Sequence, residues 1–252
     1  METKDRFRGC LLGLAVGDAV GTTLEFKPPG SFKPIRDMVG GGPFRLKPGE
    51  WTDDTSMALC LATSLVETNG FDPKDQMDRY CRWWKEGYLS SNGVCFDIGN
   101  TVSAALRHFG QTGDPIAGPT SPRSAGNGSI MRLAPVPMFY YPDVTAAIRY
   151  SAESSRTTHG APECIDACRL LAGIICRAIS GASKEDVLFG EADSRHQRIG
   201  SEQQRHDLNS FTICPESPAH PSLERKQQTN LGGFGRTVKF VNYGSNTNNR
   251  CR

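Results

Sequence analysis

Apolar positions along this chain recur mostly at helical spacing and hardly anywhere at strand spacing. Phe7, Cys10, Leu11, Leu14, Ala15 and Ala19 return every few residues, which predicts a buried helix over about 6–22. Gly13, Gly17 and Gly21 stand four apart on one side of it. Each costs up to about 1 kcal/mol of helix propensity, so the stripe implies another backbone pressed close against it. Met57, Leu59, Leu61 and Leu65 predict a helix over 54–68, and further runs predict helices over 74–87 around Tyr80, Trp83 and Trp84, then 98–109, 143–154 and 162–180. The last carries Ile165, Cys168, Leu170, Leu171, Ile174, Ile175 and Ala178 over much of its circumference and is expected deep in the core. Residues 22–50 hold Pro28, Pro29, Pro34, Pro43, Pro48 and Gly40-Gly41-Gly42, which excludes a continuous helix or a central strand and predicts a long loop. The expectation is an all-α fold, a compact multi-helix domain over residues 1–190.

The helical period stops near residue 190. Beyond it, 15 of the 62 residues from 191 to 252 are hydrophobic, against 78 of the 190 before. So little apolar surface cannot offset the entropy of ordering, and residues 191–252 are expected to be a disordered or poorly packed tail. The 252 residues suffice for one large domain or two small ones. Charge is nearly balanced, with 29 Lys and Arg against 27 Asp and Glu. The small basic excess lies in the tail, 9 against 6, and is scattered, so no nucleic acid or acidic membrane partner is indicated. Nine cysteines, an odd number without a Cys-x-x-Cys pair, read as reduced thiols. The start lacks the apolar core of a secretory signal, and no apolar run reaches about 18 residues, which together suggest a soluble, cytoplasmic setting.

Candidate chemistry centres on Glu50-Trp51-Thr52-Asp53-Asp54-Thr55, where two adjacent acids open an apolar-periodic helix. One reading is capping, since acids and a Thr N-cap suit a first helical turn. The other is a hard divalent cation, which would relieve the repulsion between Asp53 and Asp54 and accept the Thr52 hydroxyl as a further oxygen donor. Asp97 carries the same capping alternative at a later helix start, and Glu25 reads either as a surface acid or as a site acid brought in by the long loop. Asp18, among Gly17, Ala19 and Gly21, is a hydrogen-bonded core group or part of a site. In Ser124 to Arg132, the small residues Gly126, Asn127, Gly128 and Ser129 form either a tight turn or a loop whose N–H groups hold an anion. His159 sits at a helix junction, where a lone histidine is usually structural or exposed.

Taken in order, these stretches resemble the ADP-ribosylglycohydrolases, the family that includes enzymes removing ADP-ribose from modified arginine. The resemblance spans about residues 5–185 and rests on Gly9 to Gly21, Glu25-Phe26, Trp51 to Thr55, Phe96 to Thr101, Gly126 to Arg132, and Thr158-His159. It implies an all-helical fold with a cleft holding two Mg²⁺ or Mn²⁺ ions, and hydrolysis at the anomeric carbon of ADP-ribose. Carried over by position, Thr52, Asp53 and Asp54 would be metal ligands, with oxygen donors suited to hard cations. Gly126, Asn127, Gly128, Ser129 and His159 would cradle the ADP-ribose phosphates and adjoining groups. Asp97 and Glu25 would be the catalytic acids, and Asp18 a structural or supporting residue. The implied partner is ADP-ribose or an ADP-ribosylated protein.

One family feature has no counterpart. Members carry near the C-terminus a Gly-rich Asp-x-Asp-Thr segment that supplies the remaining metal ligands, and no such string occurs in this chain. Glu191-Ala192-Asp193-Ser194 imitates it poorly, since no apolar helix follows. The expectation is a family-like body that passes into unrelated sequence near residue 190 through truncation or a change of reading frame. The alternative to an active hydrolase is accordingly a catalytically degenerate ADP-ribose-binding module without a complete two-metal site.

Overall fold

The computed structural model describes residues 2–189, and the expected tail over 191–252 lies outside them. Among the described residues the regular elements are helices, with one isolated antiparallel bridge between Gly41 and Leu46 inside the long loop. The helices are α1 (Thr3–Gly21), α2 (Asp53–Glu67), α3 (Pro73–Glu86), α4 (Asn100–Thr112), α5 (Pro135–Tyr140), α6 (Val144–Arg156), α7 (Pro162–Ser180) and α8 (Lys184–Phe189). Met1–Leu188 fall within one compact unit. The all-α expectation therefore holds, and among the described residues no helix is long and apolar enough to cross a membrane.

Helix α2 is the hub, packing on α1, α3 and α5. Its Met57 and Cys60 join Met77, Tyr80 and Trp83 of α3 and Val102, Ala105, Leu106 and Phe109 of α4 in one buried cluster. One turn round, Leu61 and Leu65 join Leu133, Val136 of α5 and Cys168 of α7 in a second. Burying two faces of one helix fixes its axis, and hence the place of its N-terminal acids. Local chemistry sets the ends of the neighbouring helices. The Asp72 carboxylate accepts the N–H groups of Lys74 and Asp75 at the start of α3, Asp143 accepts that of Ala146 in α6, and Gly87 and Gly113 close α3 and α4 in the left-handed conformation. Arg79, buried on α3, is clamped by Asp75 and by Glu67 of α2, each at 2.6 Å.

Three expectations are corrected. Among the described residues no atom lies within 4 Å of a Cβ built on Gly13, Gly17 or Gly21, so none of them presses on the stripe of α1; Leu12 and Val16 beside it are exposed as well. Helix α7 is buried along Cys164, Cys168, Ala172, Cys176 and Ile179 only, with Leu170 half exposed. Apart from Ile179, small side chains make its core face, where α6 and α1 pack on it. The helix expected from 98 begins at Asn100 with Gly99 as its cap, leaving Asp97 outside its first turn and removing the capping explanation for that acid. The short α5 escaped the periodicity reading, since six residues containing Pro135 and Pro137 carry less than two turns of pattern.

Candidate active site

The site is built from the N-terminus of α2 outward. Thr52 occupies the capping position, yet its side chain makes no capping hydrogen bond to its own helix. That work falls to Asp18 of α1. One Asp18 oxygen accepts the Thr52 hydroxyl at 2.8 Å, and the other accepts the Thr55 hydroxyl at 2.7 Å and the Thr55 N–H at 3.1 Å. The Thr52 N–H donates to the same carboxylate at 3.0 and 3.1 Å. A carboxylate from a separate helix thus accepts the N–H groups of Thr52 and Thr55 and complements the positive end of α2. The signal for this role was in the sequence: an acid in a run of small and apolar residues needs partners.

Four acids converge here from three segments. Glu25 follows a single turn of 3-10 helix, Thr22–Leu24, at the start of the long loop; Asp53 and Asp54 open α2; and Asp97 precedes α4. Burial pushes the Glu25 carboxyl up to about 8, with repulsion from Asp97, Asp54 and Asp18 adding to it. Burial and then Asp18 and Asp97 push Asp54 up to about 7, against hydrogen bonds from Thr52 and its own backbone. Asp53 is held well above the ordinary carboxylate range by burial and by Asp97, Asp54, Asp18 and Glu25 in turn. Burial lifts Asp97 to about 6, while a hydrogen bond with Asp53 acts the other way. Among the described residues no lysine or arginine forms a salt bridge with any of the four. Such crowding of half-buried and buried carboxyls is the electrostatic signature of a functional cleft.

The all-oxygen donor set fits a hard cation such as Mg²⁺ or Mn²⁺. The Thr52 oxygen lies 3.5 Å from an Asp54 oxygen while donating to Asp18, which leaves its lone pairs available. Among the described residues no three His, Cys, Asp or Glu side chains are arranged as a cation-binding group.

The second patch joins the loop before α5 to the α6–α7 junction. Gly126 to Ser129 form a turn with no left-handed residue. The Gly126 N–H is engaged by Cys164 Sγ at 3.5 Å, whereas those of Asn127, Gly128 and Ser129 make no hydrogen bond to the described residues. The Ser129 hydroxyl is buried and hydrogen-bonded to the Ser155 hydroxyl at 2.9 Å, so it supports the loop from beneath. His159 is buried, its Nδ1 2.9 Å from Thr158 Oγ1, and its ring faces Gly128 so closely that a Cβ there would come within 2.6 Å of it. Burial, reinforced by the Arg132 charge, pushes the imidazole down to about 3. It is therefore a neutral ring at physiological pH. Arg132, fully buried, donates to the Gly128 carbonyl at 2.7 Å. An open hollow lined by Ala104, His108, Ile116, Ala117, Pro119 and Thr120 contains none of these groups.

Comparison with known proteins places this arrangement. The chain matches the ADP-ribosylglycohydrolase family over residues 1–229. It is 50% identical over 187 residues to the ADP-ribosylarginine hydrolase Tri1 of Pseudomonas putida (strain GB-1), covering 74% of this chain and 50% of that protein. It is 36% identical over 181 residues to the ADP-ribosyl-[dinitrogen reductase] glycohydrolase of Rhodospirillum rubrum, covering 70% and 59%. A solved structure described as an ADP-ribosylglycohydrolase-related protein complex superposes with a TM-score of 0.61 at 47% identity, over 74% of this chain and 60% of that one. The chain spans about half the length of the ADP-ribosylarginine hydrolases it matches. With a helical fold, an acid-rich helix start and this extent of matching sequence, the chain belongs to the ADP-ribosylglycohydrolase family.

Proposed function

We propose that the chain carries the acidic half of an ADP-ribosyl hydrolase site, acting with Mg²⁺ or Mn²⁺ on the glycosidic bond between ADP-ribose and a modified protein side chain or a small ADP-ribosyl compound. The observation that carries this reading is the convergence of Glu25, Asp53, Asp54 and Asp97 without a basic partner among the described residues. Asp53, Asp54 and Thr52 would hold the cation, and Asp18 fixes the helix end that presents them. When bound, the ion supplies positive charge against the charge that develops during hydrolysis.

The remaining steps belong to the chain's own residues. Of the two acids outside α2, Asp97 is the stronger, at about 6, and Glu25 the weaker, at about 8. Two carboxyls whose surroundings separate their proton affinities take opposite roles. Asp97 accepts a proton from water as its oxygen bonds to the anomeric carbon, and Glu25 delivers one to the departing nitrogen or oxygen. Gly128 and Asn127 direct free N–H groups at the diphosphate, Gly126 and Ser129 hold the turn, and neutral His159 adds a hydrogen bond without requiring a proton from solvent. The ADP-ribosylarginine hydrolases among its relatives make an arginine-linked substrate the first to assay. Incubated with Mn²⁺ and an ADP-ribosylarginine peptide, the chain releases ADP-ribose, and Asp54→Asn abolishes the release. Release unaffected by Asp54→Asn would refute the assignment. The competing reading, a degenerate binding module, has no observation of its own among the described residues.

A further inference from the structure

Arg132 is the largest buried charge in the structure that the proposed chemistry leaves without a task. Its side chain is fully buried, and no salt bridge among the described residues neutralises it. One terminal nitrogen donates to the Gly128 carbonyl at 2.7 Å; the other donates to Thr158 Oγ1 at 2.7 Å and lies at 3.3 and 3.4 Å from the Ser154 carbonyl and Thr157 Oγ1. Its Cζ lies 4.7 Å from the centroid of the Tyr80 ring, and its Nε has no partner among the described residues. Withdrawing a cation from water without a counter-ion is costly, so an arrangement of neutral oxygens around it calls for a compensating role.

The hydrogen-bond directions supply one. Arg132 can only donate, so Thr158 Oγ1 accepts from it. Thr158 is fully buried, and its one remaining neighbour for the hydroxyl proton is His159 Nδ1 at 2.9 Å. Were Nδ1 protonated, the hydroxyl would accept twice and its own proton would be buried without a partner, a loss of about 1–3 kcal/mol. The arrangement that uses every hydrogen has Thr158 donating to Nδ1, with the imidazole proton on Nε2. Nε2 makes no hydrogen bond to the described residues and faces the loop, 3.6 Å from a Cβ built on Gly126 and 3.0 Å from one built on Gly128. We propose that Arg132 is a positioning residue for the anion-binding loop: it holds the Gly128 carbonyl directly, fixes His159 through Thr158 as the Nε2–H tautomer aimed at the loop, and leaves its own charge unneutralised behind the place where a diphosphate would lie. The relay rests on the reading of Gly126 to Ser129 as that place.

Long-range proton–nitrogen NMR of the full chain, with nitrogen-15 histidine, tests it. Comparison with His159→Asn identifies the His159 signals among those of the five histidines. The wild type shows His159 wholly as the Nε2–H tautomer. Thr158→Val moves it toward the Nδ1–H form or a mixture and weakens ADP-ribose binding about tenfold, Thr158→Ser restores both, and Arg132→Met shifts the ring in the same direction as Thr158→Val. An Nδ1–H ring in the wild type, or a tautomer unmoved by Thr158→Val, would overturn the relay even if Arg132→Met fails to fold. ADP-ribose that binds without perturbing the His159 signals would instead remove the loop reading, a result the tautomer in the free chain does not depend on.

Discussion

Asp18 and Gly128 each hold one half of the proposed site in place. Each has a specific physical reason to be the residue it is. The Asp18 carboxylate receives hydroxyl and N–H donors from both Thr52 and Thr55, so Asp18→Ala would leave the start of α2 without its acceptor. The expected cost is about 1.5–3 kcal/mol, seen as a lower urea midpoint with unchanged slope, together with weaker cation binding by Asp53 and Asp54. An unchanged midpoint would mean that water replaces Asp18 fully. Gly128 lies against the His159 ring and Val102, where a methyl group would come within 2.6 and 3.1 Å. Gly128→Ala should cost about 1–3 kcal/mol and at least about tenfold in ADP-ribose affinity, measured by thermal shift and titration calorimetry. Both residues stood out as letters in the sequence, one as an acid among small residues and one in a small-residue turn. Their partners, a threonine pair 34 to 37 residues away and a histidine 31 residues on, became visible only through tertiary packing.

The helices themselves were legible, because an apolar stripe of more than three turns is a long pattern. Helices α2, α3, α6 and α7 lie within a residue or two of where periodicity puts them. The errors concern what packs against a helix, since an apolar face says that burial is available and not what provides it. Helix α1 shows this, its glycines and Leu12 looking outward, while α2 buries two faces at once. The contrast gives a paired prediction. Leu61→Ala at the hub should cost about 2–5 kcal/mol in urea denaturation, whereas Leu12→Ser should change stability by no more than about 0.5 kcal/mol. A large cost for Leu12→Ser would show that the outward face of α1 is covered in solution.

Across the molecule, the concentrated acids make stability depend on pH in an unusual sense. Glu25, Asp53, Asp54 and Asp97 all have folded-state proton affinities above their ordinary values of 4.5 for Glu and 3.8 for Asp. Between those ordinary values and about 8, the folded chain therefore binds more protons than the unfolded one. Stability falls as pH rises through that window, opposite to the trend of salt-bridged carboxylates. In metal-free buffer the melting temperature should drop from pH 5 to pH 8, and saturating Mn²⁺ should raise it more at pH 8 than at pH 5. A melting temperature that climbs with pH in metal-free buffer would contradict the mutual repulsion of these groups. The sequence revealed Asp53 and Asp54 as neighbours, but Glu25 and Asp97 join them only because the long loop and the segment before α4 return to the same end of α2.

The most direct test of the central claim is calorimetric titration of metal-stripped protein, first with Mn²⁺ and then with ADP-ribose, beside Asp53→Asn and Asp54→Asn. The account predicts saturable cation binding that both variants weaken by at least about tenfold, with ADP-ribose binding on top of the cation in the wild type. Cation binding that neither variant alters, or ADP-ribose that does not bind the loaded wild type, would show that these acids and the Gly126 to Ser129 loop are not the ADP-ribosyl hydrolase site.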